Sequence, residues 1–138
     1  MTPYLLSDWK NVARGRTWVL KVLVAYEDSY RFYRHVLAKA IEDLRPHLQV
    51  RSVALGAMEA TLERFDPHVV VCSRPNTEYT TSGGVGAWVE LPVEPSEPAE
   101  ICHEGQYEEA LSPELTKVLS VLDEIEEKHR RGALVEKC

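Results

Sequence analysis

No stretch of the chain reaches the ~18 consecutive apolar residues that a membrane-spanning helix needs. The nearest approach, Trp18 to Ala25, is interrupted by Lys21. Lys10, Arg14 and Arg16 precede it as basic residues precede the apolar core of a signal peptide, but Tyr26-Glu27-Asp28 supplies no small-residue cleavage site. The segment therefore reads as a buried strand. A basic block is also missing, because 16 Lys and Arg are scattered among 22 Asp and Glu, for a net charge of −6. That balance speaks against nucleic acid or an anionic membrane as partner. Cysteine is scarce, and Cys72, Cys102 and Cys138 are an odd number at wide spacing. Neither a secreted disulfide framework nor a CxxC zinc knuckle fits them, so reduced thiols in a cytoplasm are expected.

What is present suffices for one core: 138 residues, 44% of them hydrophobic. Residues 1–17 show no periodicity and are expected to be an N-terminal arm. Residues 18–132 make the domain, and 133–138 a C-terminal tail. Val19 to Ala25 is a nearly continuous β-branched run, as in a strand covered on both faces. Asp28 or Ser29 is placed to cap a helix whose apolar face is Tyr33, Val36, Leu37, Ala40, Ile41 and Leu44, with Arg31, Arg34, Lys39 and Glu42 toward solvent. Pro46 stops it. Gln49 to Leu55 is a weaker, alternating strand suited to a sheet edge. Met58, Leu62 and Phe65 mark a short helix closed by Asp66-Pro67, and Val69 to Cys72 a third strand. The β-α-β-α-β order implies a doubly wound sheet with right-handed crossovers.

Beyond Ser73 the pattern changes. Asn76 to Gly84 is polar loop, Val85 to Leu91 is strand-like, and the prolines Pro92, Pro95 and Pro98 exclude a helix between them. Ala99 to His103 reads as a final short strand, either parallel in the main sheet or returning antiparallel to Val85–Leu91. Ser112-Pro113-Glu114 is a helix start, followed by the stripe Leu111, Leu115, Val118, Leu119, Leu122 and Ile125. Lys128 to Arg131 and Gly132 make a basic last turn and a C-cap.

Two acidic residues, Glu27 and Asp28, follow the first strand, and Ser73 ends the third. In a parallel α/β sheet both ends meet in one crevice. This arrangement resembles the receiver domain of bacterial response regulators, in which two acidic residues after strand one hold Mg²⁺ and an Asp ending strand three accepts the phosphoryl group. The resemblance implies a flavodoxin-like, receiver-like three-layer α/β sandwich with a mainly parallel sheet, its third and fourth helices reduced to loops and a hairpin. At the receiver-pocket positions stand Tyr26, Glu27, Asp28 and Ser73. Ser73 replaces the acceptor and Tyr26 one acidic ligand, while Glu104 to Leu111 offers no lysine where the family has one. What is implied is a pseudo-receiver that is not phosphorylated and, through Glu27 and Asp28, binds Mg²⁺ weakly at most.

Read without the family, Glu27 and Asp28 are helix-capping acids and Ser73 satisfies a backbone group at a strand end. No GxSxG elbow surrounds Ser73. Thr80, Thr81, Ser82, Gly83 and Gly84 form a candidate ligand or partner loop, without the lysine of a P-loop or the following helix of a dinucleotide fingerprint. Cys102 and His103, adjacent in a strand, point to opposite faces and so would not chelate one ion together. His35 and His47 read as surface histidines. The expected function is a non-catalytic, cytoplasmic signalling module without a cofactor, which binds a protein partner or itself as a homodimer through the Val85–Pro98 edge or the last helix. The alternative is a small-molecule-binding, flavodoxin-like domain for a flavin or corrinoid type ligand.

Overall fold

The computed structural model describes residues 19–79, 85–94, 96–111 and 113–138. The expected arm (1–17), the loop Thr80, Thr81, Ser82, Gly83 and Gly84, and Ser112 lie outside these residues. The elements in order are β1 (Lys21–Tyr26), α1 (Arg31–Leu44), β2 (Gln49–Ala54), α2 (Met58–Phe65), β3 (Val69–Cys72), β4 (Ala87–Glu90), β5 (Pro98–His103), β6 (Gln106–Leu111) and α3 (Leu115–Arg131). Short 3-10 turns at Asp28–Tyr30, Leu55–Ala57 and Asn76–Glu78 connect them.

The strands form one mixed sheet of order β2-β1-β3-β4-β5-β6. β2, β1, β3 and β4 pair in parallel, and β4–β5 and β5–β6 pair antiparallel. This overturns the expected mainly parallel, flavodoxin-like sandwich. The reason is local. A parallel strand can be reached only by a crossover of about a dozen or more residues, and residues 91–97 between β4 and β5 are too few and too proline-rich to form one. The chain instead turns straight back. Of the two directions open to Ala99–His103, the antiparallel one is taken.

The second reversal, at Glu104-Gly105, was not foreseen. Both residues have positive φ, 55° and 78°, as the two central residues of a tight hairpin turn require. β6 escaped detection because it is an edge strand with little to bury: Gln106, Tyr107, Glu108, Glu109 and Leu111 are all exposed. The segment Val85–Pro98, expected as an edge or arm, supplies β4 in the sheet interior, and the edges are β2 and β6.

Hydrophobic burial divides the core in two. On one face α1 and α3 pack Leu37, Ile41, Val118, Leu122 and Ile125 against Val22, Val24, Val71 and Val89. On the other, α2 packs Met58, Leu62 and Phe65 against Leu23, Val70 and Trp88. The buried side of α1 is Arg34, Leu37, Ala38 and Ile41, rotated from the expected face. Tyr33, Val36 and Leu44 are therefore exposed, and Phe32 is 81% exposed. Arg34, expected in solvent, is 8% exposed, and its Nε and Nη1 have no hydrogen-bond partner. Neither Asp28 nor Ser29 caps α1: its N-cap position is Tyr30, and no side chain bonds there. α3 starts after Glu114, with Val118, Leu119, Val121, Leu122 and Ile125 buried. Leu111, assigned to its stripe, belongs to β6. Arg45 clamps the C-terminal end of α1 to α3 with two bonds to Asp123, at 2.8 and 2.7 Å.

Past α3 the chain turns at Gly132 (φ 75°), where the Gly132 and Ala133 amides bond the His129 and Lys128 carbonyls. The tail then runs back to the sheet. Val135 packs so closely on Gly86 that a Cβ there would lie 2.8 Å from Val135 Cγ1. The Cys138 amide donates to the Val85 carbonyl at 3.0 Å, and Cys138 is disulfide-bonded to Cys102. The expectation of three reduced thiols is thus corrected: a strand and a tail far apart in sequence meet on one face, and Cys72 alone of the three stays free and buried. Reducing the bond should lower stability by roughly 3–4 kcal/mol, the chain-entropy value for closing a loop of this length, given the separation of 36 residues. Urea unfolding with and without reductant measures this, and coincident curves would refute it.

His68, just before β3, accepts the Lys21 backbone N–H on Nδ1 at 2.8 Å, which puts its proton on Nε2 when neutral. Burial, with His129 and Lys21 nearby, pulls its pKa from 6.5 to about 4. The unfolded chain thus binds this proton more readily than the folded one. Stability from His68 should be complete above pH 6.5 and decline as pH falls toward about 4. Denaturation midpoints between pH 7 and pH 5 should fall in the wild type and fall less in His68→Gln, and a flat wild-type profile would refute the assignment.

Candidate functional site

β1 lies between β2 and β3, so the chain leaves β1 to one side and returns on the other. The crevice at the β1/β3 strand ends is where open α/β sheets bind ligands. Parallel pairing of Ala25 with Cys72 sets Tyr26-Glu27 beside Ser73-Arg74. The structure thus brings together Glu27 and Ser73, residues 46 positions apart.

The groups are already committed to each other. Ser73 Oγ donates to Glu27 Oε1 at 2.8 Å, and Arg74 Nη2 lies 3.4 Å from Glu27 Oε2. Glu78 is the second acid near Arg74, at 4.0 Å. Glu27 therefore does not cap the helix by its side chain, and the Ser73 hydroxyl bonds a carboxylate where a backbone partner was expected. Sequence reasoning brought these two strand ends to one crevice, but it missed the bond between them because it assigned the Ser73 hydroxyl to a backbone group and Glu27 to a helix cap. Arg74 was missed altogether, although its position directly after Ser73 was a usable signal.

Below this layer the site is closed. The Arg74 carbonyl accepts Trp88 Nε1–H at 2.7 Å and the Cys72 thiol at 3.2 Å, and Tyr79 stacks on Trp88 with centroids 5.8 Å apart. These bonds pin the segment after β3 onto β4. Burial pushes the Cys72 thiol up to about 12, so it is not a nucleophile at neutral pH. Tyr26 is buried, donates its hydroxyl to the Leu91 carbonyl at 3.1 Å and meets Tyr33 edge-on at 5.2 Å. Its phenol is raised far above its usual range, first by burial. Tyr26 is thus a packing residue with a satisfied hydroxyl.

The rim is acidic. Glu90 at the end of β4 is raised above the usual carboxylate range by burial, and next by the negative charges of Glu100, Glu78 and Glu97. Asp28 lies exposed in the first 3-10 turn. Among the described residues no third carboxylate or imidazole joins Glu27 and Asp28 within ligating reach. With one Glu27 oxygen on Ser73 and the other facing Arg74, the residues do not fit Mg²⁺, which demands near-octahedral oxygen ligation. Because β5 runs antiparallel, its first residue, Pro98, lies at this end of the sheet and its last, His103, at the other. The place where a receiver carries its strand-five lysine is removed by topology.

Beside the crevice, on the α1 side of the sheet, is a cavity of about 370 Å³ lined by Tyr30, Tyr33, Leu91, Pro92, Val93 and Pro113, among others. Compared with known proteins, the chain matches no family model, no curated protein and no solved structure. Among the described residues, no helix is long and apolar enough to cross a membrane.

A small phosphoryl donor such as acetyl phosphate, with Mg²⁺, should leave the protein's intact mass unchanged, because the crevice meets an anion with Glu27, Glu78 and Glu90. A stable gain of about 80 Da, one phosphoryl group, would overturn this. Ser73→Ala should cost only about 1 kcal/mol, the worth of one partly exposed hydrogen bond, and urea unfolding reports it.

Proposed function

We propose that the chain is a non-catalytic interaction module, which is not phosphorylated and acts by binding a second copy of itself. The observation that carries the first half is the Ser73–Glu27–Arg74 cluster. A hydroxyl in the acceptor position, bonded to Glu27, leaves no phosphoryl acceptor there, and with Arg74 on the other Glu27 oxygen only the exposed Asp28 remains as a free carboxylate beside it.

The second half rests on α1. Phe32, Tyr33, Val36 and Leu44 are exposed apolar residues on this helix, which flanks the open edge strand β2. Exposed Arg31 lies at its N-terminal end and exposed Glu42 and Asp43 at its C-terminal end. An antiparallel pairing of two α1 helices about a two-fold axis buries the apolar residues and sets each Arg31 against the other copy's acidic end. This assigns the interface to α1 in place of the Val85–Pro98 segment, whose strand lies inside the sheet.

The Cys102–Cys138 bond removes the ground on which a cytoplasmic setting was expected, because disulfides persist in oxidising compartments, and alkylation in intact cells would measure the fraction oxidised. A second reading, small-molecule binding, is favoured by the 370 Å³ cavity beside Tyr30 and Tyr33. That volume is at the small end for ligand sites and suits a single ring system better than a corrinoid. A visible absorbance band in purified protein would favour it.

Sedimentation of the full chain at micromolar concentration should show a dimer. Val36→Asp should shift it to monomer with its helical circular dichroism kept, since Val36 is half exposed, and with an unfolding midpoint that no longer depends on protein concentration. A wild-type monomer throughout, or a dimer indifferent to Val36→Asp, would remove the proposal.

A further inference from the structure

At the end of the sheet opposite the strand-end crevice, three elements converge. His103 closes β5, Glu104 opens the turn to β6, and Glu124 projects from α3. One ligand atom from each lies within 4.8 Å of the other two. His103 faces α3 while its neighbour Cys102 faces α2, as the alternation of a strand requires.

The imidazole is the informative member. Its Nδ1 is shut off from solvent and has no hydrogen-bond partner. The nearest acceptors are Glu124 Oε1 at 3.6 Å and Glu104 Oε2 at 4.0 Å, both too far for a hydrogen bond. A buried polar atom left this way is costly. The same separations are somewhat longer than a shared ion requires, since ligand atoms about 2.1 Å from a tetrahedral centre lie about 3.4 Å from one another. Small side-chain shifts close the difference, and Glu124 is free to make one because its side chain is more than half exposed.

The surroundings sort the oxygens. Lys128 pairs with Glu104 Oε1, leaving Oε2 toward the histidine. On the other side of the ring Glu108 Oε1 stands 3.7 Å from His103 Nε2, and Lys117 holds the other Glu108 oxygen at 2.9 Å. A carboxylate there directs the ring proton to Nε2 and frees the Nδ1 lone pair, the outer-sphere arrangement of metal-bound histidines.

We propose that His103 Nδ1, Glu104 and Glu124 form a divalent transition-metal site of the Zn²⁺ class. One imidazole and two carboxylates within 4.8 Å of one another are zinc donors once those small shifts are made, whereas Mg²⁺ wants octahedral oxygen. The ion ties the β5–β6 turn to α3 and keeps a fourth position for water or a ligand. The competing arrangement is a charged imidazolium among the three glutamates with no ion.

The test uses the full-length, chelator-stripped protein with its disulfide intact, so that Cys102 and Cys138 offer no thiolate. Co²⁺ serves as the visible probe and Zn²⁺ as competitor. The wild type should take up one Co²⁺ per chain at micromolar concentration, with a visible ligand-field band that Zn²⁺ abolishes. Glu124→Gln and His103→Gln should weaken binding at least tenfold and Glu108→Gln by about tenfold, the usual effect of an outer partner. Glu127→Gln, on the same helix but paired with Arg130, should bind as wild type. Absence of Co²⁺ and Zn²⁺ binding by the folded wild type would overturn the site, as would binding that survives both Glu124→Gln and His103→Gln.

Discussion

A strand parallel to its neighbour is reached only through a long crossover, and the link from Glu90 to Pro98 is too short and too rich in proline to supply one. The chain must reverse at this point. The reversal makes β5 antiparallel, brings β6 in by a two-residue turn and puts His103 and Glu104 at the end of the sheet away from Glu27 and Ser73. It also leaves α3 to cross the β1–β4 face alongside α1. Both candidate sites inherit their separation from this one connection.

The strand-end crevice shows how a ligand-binding position in a fold can be taken over by internal bonds. In an open α/β sheet the β1/β3 junction exposes backbone and side-chain groups to whatever enters. Here Arg74 neutralises part of the Glu27 charge, Ser73 occupies one of its oxygens, and Trp88 and Tyr79 fix the segment that would otherwise move. The arrangement contributes stability by satisfying partly buried groups, and it does so with the residues a reactive site would need free.

The first half of the fold was legible because its signals are strong ones. Lys21 to Tyr26 and Val69 to Cys72 are short apolar runs that only interior strands use, and Met58, Leu62 and Phe65 keep helical spacing through to burial. Gln49 to Ala54 alternates weakly and is indeed an edge. The second half was not legible for the opposite reason. β6 buries almost nothing, so its sequence carries no period, and the face of α1 was misjudged because eight apolar positions compete for a stripe that the sheet covers only in part. The receiver pattern directed attention to Glu27 and Ser73, which do meet. It gave no warning of the antiparallel return, since a motif in the first half says nothing about how a proline-rich link closes the second. The disulfide was hidden by arithmetic: an odd cysteine count argued against pairing, yet one bond and one buried thiol satisfy it.

The bond between Cys102 and Cys138 closes a covalent ring that contains β6 and all of α3. Ordinarily a terminal helix is the first element to detach, since fraying at a chain end costs little. Here α3 is anchored through β5 at one end and through the tail at the other, so it cannot peel away from the sheet without the ring being opened or β5 being dragged out with it. Amide protons in α3 are thereby assigned to the slow-exchanging part of the molecule, in step with the central strands, and cleavage of a single sulfur–sulfur bond would transfer the helix to the fast-exchanging class.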